Sequence, residues 1–197
     1  MTEWLLFTDG SVHPQTKCGY GAALLIASND LSLGLDELSA RIKVHKFTET
    51  SSTKIELQAL LWALAETPEA CAPLSVYSDC QNILGLSDRR AGFEAHNYLS
   101  KKGLPLRNAA LYQAFFQMAD QRDLKLVKVQ GHKPAAQRNP IDRLFNLVDK
   151  ASRKACRDRR SEVGSRKSEV GSRKAALRSN SHVASVRKAD DEAATLM

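Results

Sequence analysis

Four acidic residues of this chain stand in apolar-flanked settings: Asp9 in Phe7-Thr8-Asp9-Gly10-Ser11, Glu56 in Lys54-Ile55-Glu56-Leu57, Asp79 in Val76-Tyr77-Ser78-Asp79-Cys80, and Asp149 in Val148-Asp149-Lys150-Ala151. A carboxylate at the end of a buried strand or on the inner side of a helix sheds hydration and needs a partner, a proton or a cation. Four of them form an all-oxygen donor set, which suits a hard divalent ion, Mg²⁺ or Mn²⁺. Each acid also has a plainer reading. Asp-Gly-Ser is a common turn sequence, a glutamate near a helix start complements the dipole, and an aspartate between strand and helix serves as an N-cap.

The elements that must position these acids follow from hydrophobic period and breakers. Trp4 to Thr8 and Tyr20 to Ala27 are short, apolar and β-compatible, and the polar segment between them, with Pro14 and two glycines, reads as a hairpin connection. Asp9 therefore closes the first strand, and its carboxylate emerges at the sheet edge. Arg41 to Phe47 alternates as a third, half-buried strand does. From Ser52 the period becomes helical through Ile55, Ala59, Leu60, Ala63 and Leu64, and Pro68 closes the segment. Leu74 to Ser78 reads as a fourth strand, Gln81 to Leu86 as a short helix, Asn108 to Ala119 as an amphipathic helix and Leu124 to Val129 as a fifth strand. A last helix starts near Pro140 and carries Ile141, Leu144, Phe145, Val148, Ala151 and Ala155 on one face. Trp4 and Trp62 fall on apolar faces and are assigned to the core.

Bulk composition narrows the classes. A chain of 197 residues with formal charge +7 favours a polyanionic partner. Cys18, Cys71, Cys80 and Cys156 form no C-x-x-C pair and no zinc-type spacing, and no secretory leader precedes them, so reduced thiols in a soluble, cytoplasmic protein are expected. No apolar run is long enough to span a membrane. After Cys156 the character changes: Ser-Glu-Val-Gly-Ser-Arg-Lys appears twice, at Ser161 to Lys167 and Ser168 to Lys174, and the segment 157–197 has ten basic and six acidic residues and no aromatic ones. Such a tail buries too little apolar surface to order itself, which leaves one domain over 1–156 and a disordered basic tail over 157–197.

Strand order and acids together resemble the type 1 ribonuclease H family. The resemblance is carried by Phe7-Thr8-Asp9-Gly10-Ser11 followed by Gly19-Tyr20-Gly21-Ala22, by Lys54-Ile55-Glu56-Leu57-Gln58-Ala59, by Tyr77-Ser78-Asp79-Cys80-Gln81 and by Val127-Lys128-Val129-Gln130-Gly131-His132. It implies an α/β ribonuclease H-like fold: a five-stranded mixed sheet, three antiparallel strands then two parallel, with helices on both faces. The implied activity is endonucleolytic hydrolysis of the RNA strand of an RNA/DNA hybrid by two Mg²⁺ ions, Mn²⁺ being possible, to leave 5′-phosphate and 3′-hydroxyl ends. A monomer is expected. Two alternatives share the scaffold, a non-catalytic hybrid- or RNA-binding module and another nuclease of the superfamily.

The same resemblance implies site roles. Asp9, Glu56, Asp79 and Asp149 are the metal ligands, and His132, on a loop after the fifth strand, shuttles a proton or helps product leave. The rival to Asp149 is Asp142, seven residues earlier on nearly the same helix face and ten residues after His132. Asp149 is favoured because Ala151 and Ser152 permit close packing that Leu144 and Phe145, at the equivalent offsets from Asp142, would not. That choice implies an enlarged loop from Lys133 to Asn139. Gly10, Ser11, Ser52, Thr53 and Gln81 are the implied nucleic-acid contacts, with Ser52 and Thr53 where the family often has asparagines. Arg89, Arg90, Lys101, Lys102 and Arg107 lie where relatives carry a basic protrusion; a solvated basic loop is the plainer alternative.

Overall fold

The computed structural model describes residues 2–130 and 133–158. Leu5 to Asp9 are buried without interruption, the pattern of a central strand covered on both faces. This strand, β1 (Trp4–His13), pairs antiparallel with β2 (Cys18–Ala27), and β2 pairs antiparallel with β3 (Lys43–Phe47). On its other side β1 is parallel to β4 (Leu74–Ser78), which is parallel to β5 (Leu124–Lys128). The order β3-β2-β1-β4-β5 is the mixed sheet that the strand pattern implied.

Helices cover both faces of this sheet. Leu6, Ala23, Leu74 and Val76 pack with Leu57, Leu60 and Leu64 of α2 (Ser52–Glu66), Ile83 of α3 (Gln81–Leu84), Leu86 of α4 (Leu86–Ala95) and Phe115 and Phe116 of α5 (Ala109–Asp120). Leu5, Phe7, Ala22, Leu24 and Ile26 pack on the opposite face with Leu38 of α1 (Leu35–Ala40) and with Leu144, Phe145 and Val148 of α6, helical over 140–158. Strand side chains alternate between faces. Asp9, in step with Leu5 and Phe7, therefore faces α6, and Gly10 faces α2. Trp4 and Trp62 are partly buried against the α2 side of the core, as their apolar settings implied.

Three sequence expectations need correction. β1 does not end at Asp9: it pairs with β2 as far as His13↔Cys18, and the turn is confined to the few residues between them, with Lys17 at φ 51°. What ends near Asp9 is the other neighbour, since β4 pairs with β1 only to Phe7↔Tyr77. α1 and α4 were not anticipated, because each has too few apolar residues to show a helical period; α1 buries only Leu38 and α4 only Leu86. Polar clamps compensate. Arg41 bridges Asp30 and Glu37 beside α1, and Arg90 of α4 binds Glu94 and, with both terminal nitrogens, Asp120 of α5 while lying over Phe116. Among the described residues no helix is long and apolar enough to cross a membrane.

Close approach of α2 to the hairpin depends on missing side chains. A Cβ at Gly21 would stand 2.7 Å from the Ala59 Cβ and 3.2 Å from its Cα, and neither atom can swing away. Gly21→Ala should therefore destabilise the protein by about 1–3 kcal/mol, as overpacking of a filled core does. Urea unfolding of the variant checks this; an unchanged midpoint would show that α2 slides without penalty.

Candidate active site

β1 and β4 run parallel, so their carboxyl ends open on the same edge of the sheet, the side on which open α/β sheets take their ligands. The ring of Phe7 stacks on that of Tyr77 from the paired position, with centroids 4.8 Å apart. Asp9 lies two residues beyond that pair within β1, and Asp79 two residues beyond it, just past the end of β4. An apolar pair beneath two carboxylates lowers the local dielectric and makes each charge more costly.

Glu56 reaches this place from the other face. A Cβ at Gly10 would come within 2.9 Å of the Ile55 Cγ1 and 3.2 Å of the Glu56 nitrogen, so glycine lets the start of α2 lie against β1. In return the main chain at Gly10 favours the ionised form of Glu56. Asp149 comes from α6, where Arg153, one turn later, pairs with it at 2.8 Å. Ser152, fully buried, donates its hydroxyl to Asp9 Oδ2.

Electrostatics tie the acids together. Burial pushes the Asp9 carboxyl up to about 6; the Ser152 hydroxyl works against it, Asp149 and Asp79 add to it, and Arg153 lowers it slightly. Burial also pushes Glu56 up to about 9, reinforced by Asp9 and Asp79, opposed by the Gly10 main chain and raised further by Asp149. Asp9 is only 7% exposed, whereas Glu56 keeps more of its surface in water, which offsets part of its penalty. Asp149 and Asp79 thus raise the proton affinity of Asp9, and Asp9, Asp79 and Asp149 raise that of Glu56. The Cys80 thiol beside them is pushed up by burial, with Glu56 and Asp79 adding to the shift, so it stays protonated and unreactive at neutral pH.

Asp142 is elsewhere in role. Its Oδ2 accepts from the Asn139 N–H at 3.0 Å while Asn139 Oδ1 accepts from the Asp142 N–H at 2.8 Å, a reciprocal cap on the start of α6. Lys133 Nζ binds both of its oxygens, at 3.0 and 2.9 Å. Burial alone would raise Asp142, but Lys133, the Asn139 N–H and Arg138 outweigh it and hold the carboxyl below its usual range. Asp142 is therefore already paired within this chain, by Lys133 and by the Asn139 N–H. It does not figure among the charges that raise Asp9 or Glu56. An open cleft lies between the two acids of α6, lined by Asp79, Asp149, Asp142, Lys133 and Arg138.

The other anticipated residues divide by position. Ser11 is half-buried on β1, opposite Tyr20, and Ser52, Thr53 and Gln81 are solvent-exposed or nearly so at the starts of α2 and α3. Asp79 is not the N-cap of α3: Cys80 occupies that position, and its N–H is accepted by the Ser78 hydroxyl. His132 lies outside the described residues. Of the basic group, Lys101, Lys102 and Arg107 are exposed, but Arg89 donates to the Asn82 and Gly85 carbonyls and Arg90 is engaged by Glu94 and Asp120. Only part of that group is thus available to a ligand. The contact that sequence reasoning missed is Ser152 to Asp9; the sole hint was a small polar residue three positions after Asp149.

The donor chemistry fits a hard divalent cation: carboxylate oxygens, of which those of Asp9 and Glu56 are held at raised proton affinity by burial and by neighbouring acids. As they stand, no three His, Cys, Asp or Glu side chains among the described residues are grouped closely enough to hold a metal ion. Holding one requires carboxylate rotation toward a common point.

Residues 1–156 match the family model described as RNase H. A protein named ribonuclease H from Moorella thermoacetica is 26% identical over 157 residues, covering 78% of this chain and 96% of its own length. Similar proteins of the same name come from Symbiobacterium thermophilum, 26% identical over 73% of this chain and 92% of the relative, and from Cupriavidus pinatubonensis, 24% identical over 74% and 94%.

Proposed function

This chain belongs to the ribonuclease H family and is a hydrolase of that kind, and from that premise we propose that it cleaves the RNA strand of RNA/DNA hybrids endonucleolytically where β4 ends beside β1, at Asp9 and Asp79. The observation that carries the reading is the convergence of acids on Asp9, which Ser152 of α6 contacts directly and whose proton affinity Asp149 and Asp79 raise, while Asp9, Asp79 and Asp149 raise that of Glu56. Two Mg²⁺ ions, or Mn²⁺, supply when bound an activated water and neutralisation of charge at phosphorus and at the leaving oxygen. Asp9, Glu56, Asp79 and Asp149 would hold these ions, Asp9 serving both, Glu56 and Asp79 toward the leaving group and Asp149 toward the attacking water. Products carry 5′-phosphate and 3′-hydroxyl ends. His132 accepts or delivers a proton, or eases product release. Gly10, Ser11, Ser52, Thr53 and Gln81 contact the duplex, and selectivity for RNA rests on hydrogen bonds to 2′-hydroxyls. The domain that does this spans residues 1–156; the basic tail expected over 157–197 lies, from residue 159 on, outside the described residues.

The test is cleavage of labelled RNA/DNA hybrid, double-stranded RNA and double-stranded DNA with Mg²⁺, Mn²⁺ or EDTA. Hybrid-selective cleavage that EDTA abolishes is expected; cleavage that persists in EDTA, or none in either metal by folded protein, overturns the reading.

The fourth acid has its own expected outcome. Asp149→Asn should reduce hybrid cleavage by about a hundredfold or more, equivalent to about 2.7 kcal/mol of transition-state stabilisation. Asp142→Asn should keep its catalytic rate and lose about 1–2 kcal/mol of stability through the weakened cap and the unpaired Lys133. Single-turnover rates and denaturant midpoints of both variants separate the two roles, and full activity in Asp149→Asn would reverse the assignment.

A further inference from the structure

The sequence marks Ser152 only for its small size, yet its hydroxyl lies between Asp9 and the Asp149 main chain. Its side chain has no solvent exposure. A serine inside a helix ordinarily returns its proton to a carbonyl of the preceding turn, and Ser152 has that acceptor available, the Asp149 main-chain oxygen at 3.0 Å. It also has the Asp9 carboxylate, and the contact to Asp9 Oδ2 is the shorter one. A hydroxyl carries a single proton. The charge-assisted bond is the stronger claim on it, since O–H···O⁻ bonds are shorter and about twice as strong as neutral ones.

We propose that Ser152 is the positioning residue for Asp9: its hydroxyl ties α6 to β1, sets the separation of Asp9 and Asp149, and orients the Asp9 carboxylate for cation binding. The proposal rests on the metal-site reading above and adds to it a specific hydrogen-bond donor from this chain. A carboxylate oxygen has two lone-pair directions, so Oδ2 can keep Ser152 and still ligate. Should ligation pull Asp9 away, the Asp149 carbonyl takes the proton, and no buried donor is stranded. Outer hydrogen-bond partners of this sort fix the orientation of metal ligands, and their removal typically lowers metal affinity or activity about 10–100-fold.

The experiment compares wild type, Ser152→Ala and Ser152→Cys as full-length proteins. Mn²⁺ is titrated calorimetrically into each metal-free protein, and hybrid cleavage is followed against Mg²⁺ concentration. Both variants should bind Mn²⁺ about 10–100-fold more weakly. Their activation curves should shift to higher Mg²⁺, with KM for hybrid unchanged at saturating metal. Cysteine preserves the volume without a strong donor, so an affinity restored in Ser152→Cys would reduce the role to packing and overturn the proposal. Wild-type affinity in Ser152→Ala, in protein shown by circular dichroism to be folded, would overturn it too. A wild type that binds no Mn²⁺ and cleaves no hybrid defeats the metal-site reading and this proposal with it. A wild type that does both while Ser152→Ala is unaltered defeats only the positioning role.

Discussion

Replacing Asp9 by asparagine is expected to lower hybrid cleavage at least about a thousandfold, about 4 kcal/mol of transition-state stabilisation, while making the metal-free protein more stable at neutral pH. The two effects share one cause. Asp9 is 7% exposed, and its carboxyl is pushed up to about 6 by burial, with Asp149 and Asp79 adding to that. At pH 7 the folded protein must ionise a group that resists ionisation. With about 1.4 kcal/mol per pH unit, the rise from 3.8 to about 6 corresponds to a penalty on the order of 3 kcal/mol. Asparagine never carries the charge, and its amide oxygen can still accept from Ser152, so most of that penalty disappears. The amide also loses the anionic ligand, and catalysis goes with it. Rate assays in Mg²⁺ and denaturant unfolding in EDTA check both halves. An Asp9→Asn protein that is inactive but destabilised would show that the native carboxylate is held by contacts stronger than those described.

The second large effect is a pH dependence that divalent metal reverses. Asp9 and Glu56 both have folded pKa values above their unfolded ones, 3.8 to about 6 and 4.5 to about 9. Between those limits the folded state holds more protons than the unfolded chain, so stability falls as pH rises. The contribution is complete below about pH 4 and is lost progressively through about pH 6 and then about pH 9. Asp142 and Asp120 have the opposite sign. Lys133, the Asn139 N–H and Arg138 together outweigh burial at Asp142, Arg90 lowers Asp120, and their contributions fade only as pH falls below the ordinary aspartate range. Metal-free protein should therefore be most stable in mildly acidic solution, about pH 4–6, and should weaken toward about pH 9. Added Mg²⁺ should stabilise it more at the alkaline end, where the carboxylates are ionised and free to ligate. Unfolding midpoints across this range, with Mg²⁺ and with EDTA, provide the check. A metal-free stability that is flat or rising from about pH 5 to about pH 9 would mean that the acids are not loaded against one another.

Much of this site is legible in the amino-acid order. The strand Leu74 to Ser78, the helix beginning at Ser52 and the helix beginning near Pro140 are each written in a local period or a breaker, and each is where that pattern implied. The hairpin was misjudged at Asp9 because Gly10, Ser11 and Gly19 look like turn residues. The register across β1 and β2 overrides that local preference, and glycine is present for close contact with Ile55 instead. α4 escaped notice because its stability comes from Arg90 meeting Asp120 thirty positions away, a pairing that no helical period records.

Acid identity, apolar flanks and the order of elements are local properties, carried by contiguous residues, and those the sequence determines by itself. Which acid of α6 joins the others is not local. Asp142 and Asp149 are seven residues apart, so they differ by only about 20° around the helix. They are separated by about 10 Å along its axis, at 1.5 Å per residue. Periodicity cannot distinguish them. What differs is their surroundings, set by the docking of α6 along the sheet through Leu144, Phe145 and Val148 against Phe7 and Ala22. It leaves Asp142 at the helix start with Lys133 and Asn139, and sets Ser152 and Asp149 level with Asp9.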